Sequence, residues 1–228
     1  MTEVEAERIR RWTEVVQPYL VPELKLHQIT ADSPLWRAGQ PDLDAVGWPE
    51  PYWAFAWAGG QALARYILDH PESFRGQWWD VGAGSGLVGL AAARAGARVI
   101  CTDIDPVAAT AMRMNAALND IEIQIHVEDW VGRRPSGVAG VLLGDMTYDQ
   151  AMTERVSAWL RRAHPWPGAF WVSDPDRGFF LPDPSEWQEM GSYDAPSDVD
   201  ADGTRLVRTR IHRSRSRGEP RRFALDRT

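Results

Sequence analysis

The stretch that most constrains this chain is Trp78-Trp79-Asp80-Val81-Gly82-Ala83-Gly84-Ser85-Gly86-Leu87-Val88-Gly89. It reads as the end of a buried strand, an acid, a glycine-rich turn and the start of a helix. Glycine has no Cβ, so a turn of this kind lets backbone come close to a ligand. The helix behind it presents unpaired N–H groups toward the same place. The rest of the chain is placed by its distance from this turn.

From residue 77 onward the pattern alternates strand and helix. The spacing predicts strands over Gln77 to Val81, Arg98 to Thr102, Ile121 to Val127, Val138 to Gly144 and Ala169 to Ser173. Between them it predicts helices over Leu87 to Ala95 (closed by Gly96), Val107 to Asn119 and Asp149 to Arg162. Strands joined by crossover helices imply an α/β fold with a doubly wound parallel sheet and right-handed connections. After Pro175 the rhythm changes. Glu186 to Tyr193 and Thr204 to His212 read as two strands joined by an acidic loop without a helix.

Upstream, Thr2 and Glu5 resemble a capping box, and Ile9, Trp12, Val15 and Val16 recur at helical spacing, predicting a first helix that ends before Pro18. A strand-like piece at Leu24 to Ile29 follows. Residues 1–50 are expected to form an N-terminal helix and irregular extension packed on a core domain spanning 51–212. Pro51-Tyr52-Trp53-Ala54-Phe55-Ala56-Trp57-Ala58-Gly59-Gly60-Gln61 opens that domain and leads into a helix to His70, stopped by Pro71. From Arg213 to residue 228 the chain is rich in Arg and Ser, and a disordered basic tail is expected.

A formal net charge of −7 argues against nucleic acid as the partner. Lys25 is the sole lysine, and a lone cysteine, Cys101, rules out an intrachain disulfide and suits a reducing cytoplasm. No apolar run approaches the roughly 20 residues of a membrane span, and the acidic N-terminus has no signal-peptide pattern. A cytoplasmic monomer is the expectation. His27, His70, His126, His164 and His212 have no metal-ligand spacing, so no metal is expected.

Two registers compete for the ligand of the glycine turn. Gly84-Ser85-Gly86-Leu87-Val88-Gly89 satisfies the dinucleotide fingerprint, with Asp103 about 20 residues on, which would make the chain an NAD(P)-dependent oxidoreductase. The alternative places Asp80 two residues before Gly82, Gly84 and Gly86. A carboxylate at the mouth of the first strand would repel a pyrophosphate and attract an ammonium and a sulfonium. S-adenosylmethionine carries both, which favours the second register. Asp103, ending the second strand, can accept both ribose hydroxyls. Glu128, Asp129 and Trp130 end the third, where an acid (Asp129) can take the adenine amino group and Trp130 can face the ring.

The fourth strand ends in Leu143-Gly144-Asp145-Met146-Thr147-Tyr148-Asp149. An isolated Asp-x-x-Tyr is more often a helix cap, but ligands of an open parallel sheet sit beyond the carboxyl ends of its strands, which places Asp145 and Tyr148 beside a donated methyl. Methyl transfer needs alignment and exclusion of water more than bond-making groups. A lysine nucleophile must lose a proton from a group with reference pKa ≈ 10.4. Asp145 could aim its lone pair, while Tyr148, Trp53, Tyr52 and Trp57 wall the channel.

Asp145-Met146-Thr147-Tyr148 resembles the Asp-x-x-Tyr motif of the lysine-specific group of seven-strand protein methyltransferases. The block from Pro51 to Tyr66, with Leu143 to Asp149, resembles in particular the electron transfer flavoprotein β-subunit lysine methyltransferases. The resemblance covers most of residues 50–212. It implies a Rossmann-like methyltransferase sheet with an antiparallel final strand, cofactor contacts from Trp57, Gly82 to Gly86, Asp103, Trp130 and Gly144, and roles for Asp145 and Tyr148 in methylating lysines of an exposed loop of the flavoprotein. Asp174-Pro175-Asp176-Arg177 resembles a further family segment. Thr147 stands where an aromatic is expected, and residues 18–50 match no part of the family pattern. A small-molecule amine or a ribosomal protein are the rival methyl acceptors.

Overall fold

The computed structural model describes residues 3–37, 41, 45, 47–163, 166–197 and 205–215. Helix α1 (Glu3–Trp12) is followed by a two-stranded antiparallel ribbon of β1 (Glu14–Val16) and β2 (Leu26–Gln28). Helix α2 (Ala58–Asp69) precedes the main sheet. Its elements run β3 (Gln77–Val81), α3 (Leu87–Arg94), β4 (Arg98–Asp103), α4 (Pro106–Leu118), β5 (Gln124–Val127), β6 (Gly140–Leu143), α5 (Gln150–Ala163), β7 (Ala169–Asp174), β8 (Trp187–Pro196) and β9 (Leu206–Ser214).

The seven strands lie in the order β5-β4-β3-β6-β7-β9-β8. The first five in that order pair in parallel, and β9 slots antiparallel between β7 and β8. The expected α/β doubly wound sheet with an antiparallel final strand is what forms. Successive side chains of a strand point to opposite faces, and in β3 both faces are covered. Trp78 enters the core shared with α2, α3 and α4, and Trp79 enters the core built on α5 with Trp130, Trp159 and Phe170. That double burial is why the strand reads as a continuous apolar run. Ile9, Leu24 and Leu26 belong to the same core as Leu63, Ile67 and Leu87. The N-terminal segment therefore packs on the sheet's helical layer. No helix among the described residues is long and apolar enough to cross a membrane.

Several predicted boundaries move, each for a local reason. The first helix stops at Trp12 rather than running toward Pro18. Thr13 turns its hydroxyl back to the Ile9 carbonyl at 2.6 Å, and Val15 and Val16 pair with β2, leaving Val15 48% exposed. β-branched residues favour that exchange of helix for strand. The third strand of the parallel set begins at Gln124, not Ile121. Asp120 takes φ 53°, the Asp120 N–H reaches the Ala117 carbonyl, and the Ile121 N–H reaches the Ala116 carbonyl at 3.1 Å. This left-handed cap consumes Ile121 in closing α4. The basic tail starts later than Arg213. Arg213 and Ser214 finish β9, and the Arg215 N–H donates to the Glu186 carbonyl at 2.7 Å. Thr2 of the capping box, His164, residues 198–204 of the acidic loop and the tail from 216 lie outside the described residues.

One glycine is dictated by the sheet itself. Gly140 pairs with Trp78 across β6 and β3, and a Cβ there would stand 2.1 Å from Trp78 Cζ3 and 2.7 Å from the Ala169 carbonyl oxygen. Gly140→Ala is expected to cost about 1–3 kcal/mol through overpacking. The check is a lowered urea midpoint at unchanged m-value.

Candidate active site

The strand order reverses between β3 and β6, so the crevice opens at the carboxyl ends of these two strands, as in other open α/β sheets. A cleft of about 720 Å³ occupies that place. Its floor is the glycine turn, and its walls include Trp57, Asp103, Trp130, Asp145 and Tyr148.

Gly82, Gly84 and Gly86 all have positive φ, at 67°, 53° and 81°. A Cβ on Gly82 would collide with Met146 Sδ at 2.1 Å, whereas one on Gly84 would meet nothing nearer than Trp53 Cα at 3.7 Å. The turn is therefore closed below and open above at Gly84. Asp103 holds it from the neighbouring strand, with Oδ2 accepting the Gly84 N–H at 2.8 Å and Oδ1 accepting the Asp105 N–H at 3.0 Å. The Ile104 N–H adds a third backbone contact, and burial pushes the Asp103 carboxyl above its usual range. Asp105 caps α4 by accepting the Val107 N–H at 2.7 Å, ahead of Pro106 in the first turn.

Asp80 sits lower than the sequence argument placed it. Rather than standing free at the mouth of the strand, it is buried beneath the turn. Its Oδ2 accepts the Gly89 N–H at 2.8 Å and lies 3.9 Å from Cys101 Sγ. Helix α3 begins at Gly86, which has no side chain to cap it, and Asp80 does so from the adjacent strand. Burial lifts its pKa to about 7, so its attraction for a cation at neutral pH is weaker than a full charge implies.

Asp145 repeats this arrangement on the other side of the cleft. Helix α2 starts from Trp57, whose side chain makes no cap bond, and Asp145 Oδ2 accepts the Gly59 N–H at 3.0 Å. A Cβ on Gly59 would stand 2.9 Å from Asp145 Cγ. The following helix α5 is capped instead by Asp149, which accepts the Met152 N–H at 2.7 Å. Asp145 is not an open acceptor awaiting an amine: Arg177 Nη1 donates to Oδ1 and Nη2 to Oδ2 at 3.3 Å. Burial raises the Asp145 carboxyl pKa, and Arg177 draws it back. Arg177 is the cleft residue that sequence reasoning did not assign to the site, and the signal was the Asp174-Pro175-Asp176-Arg177 segment itself. Thr147 is fully buried and donates to Asp174 Oδ1 at 3.2 Å, a bond that a phenylalanine there could not make.

The remaining predicted residues divide. Gly144 lies against the start of α2, with Gly60 Cα 3.5 Å from where its Cβ would be. Trp130 is buried edge-to-face on Trp79 at 4.5 Å and is covered by the Arg133 guanidinium at 4.2 Å. Its indole N–H goes to Glu128 at 2.7 Å. Asp129 lines the cleft but is already engaged, accepting the Val131 N–H at 3.0 Å and pairing with Arg155 at 2.7 Å. An adenine amino group there would share this carboxylate with Arg155. Trp57 is part-buried, with its N–H bonded to the Tyr52 carbonyl at 2.7 Å. Trp53 lines the cleft beside the glycine turn but is almost fully buried, packed edge-to-face on Trp48 at 5.3 Å. The rim is formed by Tyr52, 61% exposed and hydrogen-bonded to Glu50, and by Tyr148, 47% exposed.

The open turn, the Asp103 carboxylate in the cleft wall and the cleft volume fit an adenosine cofactor of S-adenosylmethionine size. The family model for ribosomal protein L11 methyltransferase (PrmA) matches residues 62–143. The chain is 38% identical over 182 residues to the electron transfer flavoprotein beta subunit lysine methyltransferase of Xenopus laevis, covering 77% of this chain and 72% of that one. It is 36% identical over 187 residues to the Caenorhabditis elegans homologue of that enzyme, covering 73% and 75%. Magnesium protoporphyrin IX methyltransferase from Synechocystis, solved with S-adenosylmethionine bound, shares the fold at a TM-score of 0.50 and 12% identity, over 67% of this chain and 78% of that one.

The Asp80 carboxyl titrates near 7 in the folded chain against 3.8 ordinarily. Between those values the native state keeps a proton the unfolded state has lost, so stability falls as pH rises and levels off above the folded pKa. Asp103, Asp105, Asp145 and Asp174 are shifted the same way by burial. Asp80→Asn is expected to flatten part of that slope, measured by urea unfolding at about pH 5 and about pH 8.

Proposed function

The chain belongs to the electron transfer flavoprotein beta subunit lysine methyltransferase family, and from that premise we propose that it methylates lysine ε-amines of the flavoprotein β subunit. The single observation that carries the reading is that Asp145 and the glycine turn face one aromatic-rimmed cleft. S-adenosylmethionine, when bound, supplies a methyl group on a sulfonium, already a strong electrophile.

The chain's own residues would divide the work as follows. Gly82, Gly84 and Gly86 let the backbone close on the cofactor, and Asp103, in the cleft wall, accepts its ribose hydroxyls. Trp130, Asp129 and Gly144 bound the adenine and methionine ends, with Trp57 across the cleft. Asp80 acts beneath them by fixing the start of α3. Tyr52 and Tyr148 admit a narrow side chain between two exposed rings and keep water from the transfer. Asp145 offers an acceptor that holds the nitrogen in line behind the methyl.

Residues 51–212 are read as the catalytic domain and the N-terminal segment as its cover. Pro49 and Glu50 border the cleft, and the Trp48 indole N–H binds Glu5 at 2.7 Å. The reading makes the protein a cytoplasmic monomer acting on a protein rather than on nucleic acid, with the buried thiol of Cys101 kept reduced.

Incubation with S-adenosylmethionine and intact flavoprotein is expected to add whole multiples of one methyl mass to the β subunit, read by mass spectrometry. An unlabelled β subunit beside methylated ribosomal protein or a small amine would redirect the substrate assignment. Asp145→Ala is expected to lower kcat/KM by about 100-fold or more, as loss of a positioning group does. Asp103→Ala should weaken S-adenosylhomocysteine binding by about 10- to 100-fold in calorimetry, the worth of hydrogen bonds to a charged group. NAD should give no heat.

A further inference from the structure

The acid assigned to receive the substrate nitrogen already holds a cation. Arg177 spans both oxygens of Asp145 with two donors, and the Gly59 N–H takes a third position at 3.0 Å. A carboxylate offers about four lone-pair sites, and these donors take three of them. The guanidinium is itself largely buried, at 24% side-chain exposure, beside an Asp145 side chain at 9%.

Arg177 is delivered there by a fixed turn. Asp174, buried at the end of β7, accepts the Asp176 N–H at 3.1 Å through Oδ2 and the Thr147 hydroxyl at 3.2 Å through Oδ1. One carboxylate thus fastens the turn carrying Arg177 to the segment carrying Asp145. Asp176 adds an ion pair with Arg210 on β9 at 3.0 Å.

We propose that Arg177 is a positioning residue for the transfer, holding the Asp145 carboxylate ionised and aimed while making the pair neutral, so that the substrate lysine enters as its amine. The inference rests on the lysine-methylating reading above. A lone carboxylate beside the nitrogen would favour the ammonium form, which has no lone pair to attack with. A guanidinium behind that carboxylate cancels the bias, and only arginine combines a permanent charge with a fork matched to both oxygens. Among the described residues, the groups acting on Asp145 are Arg177, Asp174 from β7 and the Gly59 N–H of α2. Asp174 opposes ionisation and Arg177 favours it, and burial raises the carboxyl that Arg177 draws down.

The test compares Arg177→Gln and Arg177→Lys with wild type in methyl transfer to the flavoprotein, from about pH 7 to about pH 9. Calorimetry with S-adenosylhomocysteine checks that the cofactor site is intact. Arg177→Gln is expected to lose about tenfold or more in kcat/KM near neutrality and to recover toward wild type in alkali. Arg177→Lys should keep the wild-type pH profile at a reduced rate. A loss that is uniform across pH, or no loss, overturns the proposal. A second readout needs no substrate. The ¹³C carboxyl resonance of Asp145, assigned with Asp145→Asn, should titrate at higher pH in Arg177→Gln, and an unmoved titration also overturns it. A wild type that leaves the flavoprotein unlabelled would condemn the substrate reading alone, and the carboxyl titration then decides on Arg177.

Discussion

Two helices point their N-termini at the cleft, and neither can cap itself. Helix α3 begins at Gly86 and α2 at Trp57, and neither residue supplies a side-chain cap bond. The Leu87 N–H reaches Ser85 Oγ at 3.4 Å, and one orphan N–H of each helix is taken by a carboxylate from β3 or from the turn after β6, Asp80 for Gly89 and Asp145 for Gly59. Unsatisfied buried donors cost on the order of 1–3 kcal/mol each, so these two bonds fix the helices against the sheet. The cleft between them keeps its shape for that reason.

The same bonds explain why acidic residues cluster in an apolar setting. Asp80, Asp103, Asp145 and Asp174 are drawn above their ordinary pKa by burial, and each is held by backbone N–H donors or by an arginine. Asp103 ties the glycine turn to β4, and Asp174 ties the two segments that follow β6 and β7. The chemistry a methyl donor requires is slight, and most of the acids serve geometry. Even Asp145, which the family resemblance ties to activity, is a cap and half of an ion pair before it meets any substrate.

The fold was largely legible. Periodicity located every strand of the main sheet, because buried apolar runs and glycine turns are local signals. The misplaced boundaries fell where a local alternative competed: Thr13 bending back on Ile9, and Asp120 turning left-handed to close α4. Trp53 and Trp57 both line the cleft, but they are buried to different degrees. Contact with Trp48 buries Trp53 while Trp57 stays part-exposed, and nothing in the spacing of the two residues encodes that difference.

By itself the sequence determined the glycine turn, the acids at successive strand ends and the parallel alternation that brings them to one edge. Each depends on residues close in the chain and on the fixed period of strand and helix. Tertiary structure alone decided what those acids are bonded to. Gly59 and Asp145 are 86 residues apart, Asp145 and Arg177 are 32, and Asp129 and Arg155 are 26. A carboxylate's partner is set by which donors the packed sheet carries within about 3 Å of it, and no pattern along one strand encodes that distance.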